Sequence, residues 1–209
     1  MHTLFCCNYF IKQYPEINGK EKLEIKQNQL RDTKKGVTKL KPAITDYPEH
    51  YRNYVNLVPE GNIIEILESQ LHDTKNLLAD IKKEQADFRY AEGKWSVLEV
   101  VGHVMDTERI MNYRILRMAR GDQTPLAGYD DEKYVEESNF SSRTIADLLA
   151  EWTVVRAATV ALLKGLPEGA WMKTGFANNG EFTVNSIAYI IAGHERHHVG
   201  LLKSRYMLG

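Results

Sequence analysis

From about residue 62 onward, apolar side chains return at three- and four-residue steps in four separate runs. That spacing predicts four amphipathic helices. Ile63, Ile66, Leu67, Leu71, Leu78 and Ile81 form the first stripe, and Asn62 is placed to cap it. The second opens on Ser96-Val97-Leu98-Glu99, in which Ser96 and Glu99 can each satisfy an orphan N–H of the first turn. Its stripe runs Val97, Val101, Val104, Met111 and Ile115, and Gly121 follows its end. The third begins near Thr144, with Asp147 three residues on, and carries Ile145, Leu148, Leu149, Trp152, Val155, Ala158 and Leu162 before Gly165. The fourth starts after Thr183 and continues through Ile187, Ile190, Ile191, Leu201 and Leu202.

Little in the pattern suggests strands, so the expected fold class is all-α: a four-helix bundle with long inter-helix connections. Those connections run to roughly 12, 20 and 18 residues, against the usual 2–8 in bundles. The 122–141 segment, with Pro125, Gly128, Asp130, Asp131 and Asn139, is long enough to cross the bundle, so the second and third helices could run parallel. Loops over one end of a bundle are also where a pocket lid is expected.

Residues 1–41 read differently. They are rich in Lys, Asn and Gln with little apolar periodicity, which predicts a poorly structured basic arm ahead of a bundle domain at 42–209. The 209-residue chain has a net charge of -1, but the arm holds 9 Lys+Arg and 4 Asp+Glu, while the rest holds 18 and 24. An acidic folded body argues against a nucleic-acid partner. No run of about 18 uncharged apolar residues exists, so no membrane partner is expected. Cys6 and Cys7 are adjacent, which gives no disulfide framework, and the apolar run Leu4–Ile11 lacks a basic lead-in and a cleavage site. The expected location is cytoplasmic.

The chemistry concentrates in Gly193-His194-Glu195-Arg196-His197-His198-Val199-Gly200. At 100° per residue, Ile187, Ile191, His194, His198 and Leu201 share one stripe, so two histidines one turn apart hold core positions with converging rings. Buried imidazoles need partners and would repel each other if protonated. A divalent cation answers both needs; a pair of core histidines satisfied by backbone or carboxylates is the structural alternative. His197 falls on the stripe's edge. The same residues spell H-E-x-x-H, but the glycine and third histidine of the metzincin extension are missing, and only 11 residues follow His198.

A third ligand must therefore come from upstream, and His103 is the natural one. It aligns with Val100, Thr107, Ile110 and Arg114, off the main stripe of its helix, so that helix must bury a broad surface or His103 must lie where two neighbours meet. Glu108 falls inside the stripe. A carboxylate there is either paired with an arginine or kept as an acid/base with a raised pKa.

The segment Lys94 to Arg109, with Trp95, then His103, Asp106 and Glu108, resembles the second-helix motif of the DinB/YfiT-like family. Gly193 to Val199 resembles that family's last-helix H-x-x-x-H, and the likeness extends over about residues 42–207. The resemblance implies a four-helix bundle holding one divalent metal ion, Zn or Ni first and Mn or Fe next. Carried over residue by residue, its ligands are His103, His194 and His198. Some relatives are transferases or isomerases that use a low-molecular-weight thiol such as bacillithiol or mycothiol; others are known only as metal-dependent hydrolases. The expectation is a metal-dependent enzyme, foremost a transferase activating a small thiol. Hydrolysis and a non-catalytic metal-binding bundle are the alternatives. Glu195 or Glu108 could serve as a base, a small molecule is the expected substrate, and a homodimer is compatible with the sequence. Tyr129, Tyr134 and Phe140 discriminate: lining a pocket beside the metal favours an enzyme, and packing flat on the bundle favours a scaffold.

Overall fold

A computed structural model describes residues 41–208. The expected basic arm at 1–41 therefore lies outside the described residues, apart from Lys41. Four long helices dominate: α2 (Ile63–Leu78), α4 (Val97–Ala119), α6 (Ile145–Lys164) and α7 (Val184–Ser204). Three short ones, α1 (Arg52–Leu57), α3 (Lys83–Ala86) and α5 (Asp131–Glu136), lie in the connections.

The helix starts follow their local chemistry. Asn62 accepts from the Ile64 amide at 3.0 Å. In the α4 capping box the Ser96 amide donates to Glu99 at 2.7 Å, and the Glu99 amide donates to Ser96 Oγ at 3.3 Å. Thr144 Oγ1 accepts from the Asp147 amide, and Thr183 Oγ1 from the Ser186 amide. Each bond supplies a partner to an amide that the first turn leaves without one. α2 stops at Leu78, so Ile81, the last residue of the predicted stripe, falls in the following connection while still packing on the core.

Around the bundle the long helices follow the order α2, α6, α4, α7, so α2 and α6 each pack against a helix distant in sequence. Contacts climb α4 and α6 in step, from Gly102 against Phe140 in the turn just ahead of α6, through Arg109 on Glu151, to Leu116 beside Leu162. The two helices are parallel, as the long 122–141 crossover allows. α7 runs against α4: Tyr206 donates to the Trp95 carbonyl at one end, while His194 meets His103 nearer the other.

The apolar pattern gives little sign of strands, yet the connection after α6 contains a hairpin of β1 (Thr174–Ala177) and β2 (Gly180–Thr183). Its two-residue turn places Asn178 at φ 47° and Asn179 at φ 60°, the left-handed conformation that asparagine tolerates and a twisted hairpin requires. Strands of four residues are too short for alternation to stand out. Leu126 of the crossover bonds along β1 through Phe176 and Asn178, fastening the crossover to this end of the bundle.

The core is divided in two. One apolar cluster gathers Ile63, Leu67, Met111, Ile115, Ile187 and Ile191; the other gathers Leu78, Val97, Val101, Leu148, Trp152 and Leu202. Between them every long helix contributes buried polar residues: Gln70 and Thr74, Thr107 and Glu108, Arg156 and Thr159, His194 and Glu195. Among the described residues, no helix is long and apolar enough to cross a membrane.

Candidate metal centre

His194 and His198 lie one turn apart on α7, and α4 brings His103 against them. His103 Nε2 and His198 Nε2 each stand 3.1 Å from His194 Nε2. The donor nitrogens of all three lie within 4.8 Å of one another. His103 and His194 are buried and His198 is partly buried. α4 has neighbours on two sides, α6 and α7, so the row of His103, Thr107 and Arg114 is buried along with the main stripe. That is the broad buried surface the helical wheel demanded.

Close approach makes the site. A Cβ on Gly193 would come within 2.0 Å of the Tyr54 carbonyl oxygen, so this glycine lets α1 lie directly on α7. Gly200, its counterpart at the other end of the motif, faces open space. Tyr54 sets its ring edge-on to His194 at 5.5 Å, and Trp95 packs on His103 at 4.7 Å.

Burial holds the imidazoles neutral. Desolvation lowers the His103 pKa to about 4, with the Asp131 carboxylate opposing it, and lowers His198 to about 3 with help from His103 and His197. His194 is pushed well below the ordinary value by burial and by the other histidines around it. Neutral imidazole is the form that ligates a cation. The geometry also calls for one. A neutral imidazole Nε2 carries either one hydrogen or one lone pair. His194 Nε2 faces two neighbours at 3.1 Å and can make a good hydrogen bond to only one of them. Three lone pairs turned inward on a divalent ion satisfy all three nitrogens together, and the donor set fits Zn²⁺ or another late first-row cation.

Glu108 and Glu195 are buried but committed elsewhere. Arg156, 3% exposed, donates from Nε to Glu108 Oε1 at 2.7 Å and from Nη2 to Glu108 Oε2 and Glu195 Oε2, both at 2.8 Å. Trp152 Nε1 donates to Glu108 Oε2; Gln70 and Thr74 donate to the two oxygens of Glu195. Burial would lower the Arg156 pKa, but the two carboxylates outweigh it and raise it. Every carboxylate oxygen thus has a partner in this network. Of the two options for Glu108, the structure shows pairing with an arginine, and Glu195 shares that arginine.

A cavity of about 310 Å³ opens beside His103 and His194. Its walls include Tyr51 and Tyr54, Thr107 and Arg114 of α4, and Tyr129 and Asp131 of the crossover. Of the three loop aromatics, Tyr129 lines this cavity and shares a 2.8 Å hydrogen bond with Thr107. Tyr134 sets its ring at a tilt against Tyr129, centroids 5.1 Å apart, while remaining half exposed, and Phe140 is buried against Gly102 as a loop anchor. His197, on the stripe's edge, is half-buried with its ring 5.1 Å from His198.

Sequence reasoning did not find Arg156, Arg114, Asp131 or the tyrosines before and within α1. The spacing of Tyr51, Tyr54, Val55 and Val58 is a helical signal that could have flagged α1.

The profile of the DinB superfamily matches residues 66–202, which takes in all three histidines. The chain belongs to the DinB superfamily. A protein of Oceanobacillus iheyensis is 30% identical over 145 residues, covering 67% of this chain and 79% of its own length. One from Bacillus mycoides is 28% identical over 164 residues, covering 76% and 93%. Both are provisionally named metal-dependent hydrolases. Among solved structures, Bacillus subtilis YfiT superposes with a TM-score of 0.61 at 20% identity, over 83% of this chain and 97% of its own. It is described as a probable metal-dependent hydrolase with an unusual four-helix bundle topology. At that identity the likeness speaks for the fold of this DinB chain.

Proposed function

We propose that this chain is a metal-dependent enzyme that holds one divalent cation, Zn or Ni foremost, through Nε2 of His103, His194 and His198 and accepts a small substrate in the adjoining cavity. The observation that carries this reading is the convergence of three neutral, buried Nε2 atoms on one point, with no protein arrangement able to satisfy all three. Bound there, such an ion supplies Lewis acidity, enough to bring a water molecule to a pKa of about 7 or to keep a thiol ionised.

The chain's own groups do the rest. Burial keeps the imidazoles neutral, and Trp95 and Tyr54 pack against the His103 and His194 rings. Thr107 and Tyr129 offer hydroxyls to whatever occupies the cavity. Transfer from a small thiol is the leading reaction. Glu108 and Glu195 are occupied by Arg156, which leaves no carboxylate of the polar layer free as a base, and a thiol with a pKa near 8.5 needs less help than water to ionise. Hydrolysis is the second reading, favoured by the names of the relatives.

Purified protein is expected to carry one divalent ion per chain and, after chelation, to rebind it; His194→Ala should not. A protein that holds no ion and rebinds none overturns the reading. Activity screens with and without added thiol then separate the reactions: transfer stops when thiol is omitted, and hydrolysis continues.

A further inference from the structure

Arg114 shares the buried row of α4 with His103 and Thr107 and is 2% exposed. Among the described residues no carboxylate pairs with it. Its Nη2 donates to the Ala127 carbonyl at 3.0 Å, and its Nη1 has only the Met111 sulfur, a weak acceptor, at 3.6 Å. A guanidinium has five N–H donors and cannot shed its charge, so three donors and the charge stand without a partner. Arg156 shows how this bundle treats an arginine whose task is structural: equally buried, it is enclosed by Glu108 and Glu195. Arg114 instead lines the cavity that reaches His103 and His194.

We propose that Arg114 receives a carboxylate group of the substrate, at the end of the cavity remote from the histidines; the inference rests on reading that cavity as the substrate site. The Cα atoms of His103 and Arg114 are three turns apart on α4, about 16 Å along the axis, and the Arg114 guanidinium reaches back one turn to Met111. The ligand is therefore elongated, with its reacting group at the histidines and its anionic group at the guanidinium. Between them the Thr107 and Tyr129 hydroxyls bond to each other at 2.8 Å, which uses one of their two hydrogens and leaves the other to donate. Asp131, exposed at the cavity wall, selects the kind of anion. In chelated protein one guanidinium and one carboxylate line the cavity, so Asp131 repels a singly charged carboxylate less than a doubly charged phosphate.

The test uses chelated full-length protein, so its outcome does not depend on any metal. Hexanoate, hexanamide and hexyl phosphate are titrated while the Arg114 Nε–H resonance is followed by NMR. Hexanoate should bind and move that resonance, hexanamide should not, and hexyl phosphate should bind more weakly than hexanoate. Arg114→Met should weaken hexanoate binding by about thirtyfold or more. If that variant does not fold, Arg114→Lys takes its place, with a smaller loss expected because the charge remains and the planar fork does not. The assignment is overturned if hexanoate does not bind, if hexanamide or hexyl phosphate matches it, if Arg114 Nε stays unmoved at saturation, or if the variant binds hexanoate like wild type. Carboxylate binding in protein that cannot rebind a divalent ion sinks the metal reading and leaves this one standing; metal binding without carboxylate binding does the reverse.

Discussion

Two polar clusters occupy the same level of the bundle, and the fold completes only one of them. Around Arg156, four donor hydrogens meet Glu108, Glu195 and the Leu67 carbonyl, and the carboxylates take further bonds from Trp152, Gln70 and Thr74. Around His194, three imidazoles point their nitrogens at one another, and His198 Nδ1 is buried without a partner. Burial is common to both, so burial alone does not mark function. What separates them is satisfaction: a buried network with partners for its charges braces four helices, while a buried cluster of lone pairs without one is built to receive something.

The largest way to break this contrast is to remove the brace. Arg156→Met leaves two buried carboxylates unpaired and should cost about 3–5 kcal/mol of unfolding free energy in urea titrations. Replacing Glu108, Arg156 and Glu195 together with apolar residues of similar volume should recover most of that loss, because the uncompensated charges disappear with the pair. No recovery would mean that the network does more than neutralise itself.

The histidines answer to pH. Their folded pKa values lie below the unfolded value of about 6.5, so above that pH both states are neutral and stability is unaffected. Below it the unfolded chain takes up protons that the folded one refuses. Chelated protein should then lose up to about 1.4 kcal/mol per pH unit for each histidine, down to the folded values of about 4 for His103 and about 3 for His198. Thermal melts between pH 7 and pH 4.5 read this directly. A flat profile would show that burial does not hold the imidazole pKa values below the unfolded value.

Smaller effects sharpen the distinction. His194→Leu in chelated protein should change stability by no more than about 1 kcal/mol, since it removes an imidazole whose bonding is incomplete. In metal-loaded protein the same change should abolish the ion's contribution to the melting temperature. Thr74→Val, which takes one donor from Glu195 Oε1, should cost about 1 kcal/mol with metal binding unchanged. A loss of metal affinity in this variant would mean that the two clusters are coupled.

Much of this was visible before any coordinates. Asn62, Ser96, Thr144 and Thr183 start their helices where the capping chemistry put them, and His194 and His198 face one way because four residues make about one turn. His103 was less legible, because a helical wheel finds one face and α4 buries two. The hairpin at 174–183 escapes notice for want of length, and Tyr51 and Tyr54 because a six-residue helix leaves a faint pattern. Arg156 offered only an apolar-stripe neighbourhood, with nothing nearby in sequence to show which carboxylates it would meet.

The division has a physical cause. Caps, stripes and the i, i+4 histidine pair are settled by groups within about four residues of each other, so the chain determines them locally. Tertiary structure decided which buried polar groups found partners. Arg156 reaches Glu195 across 39 positions and Glu108 across 48, Gln70 reaches Glu195 across 125, and His103 reaches His194 across 91. Only after those distances are closed does it appear that the charges have been matched and that the three imidazoles, beside a cavity holding an unpaired arginine, have not.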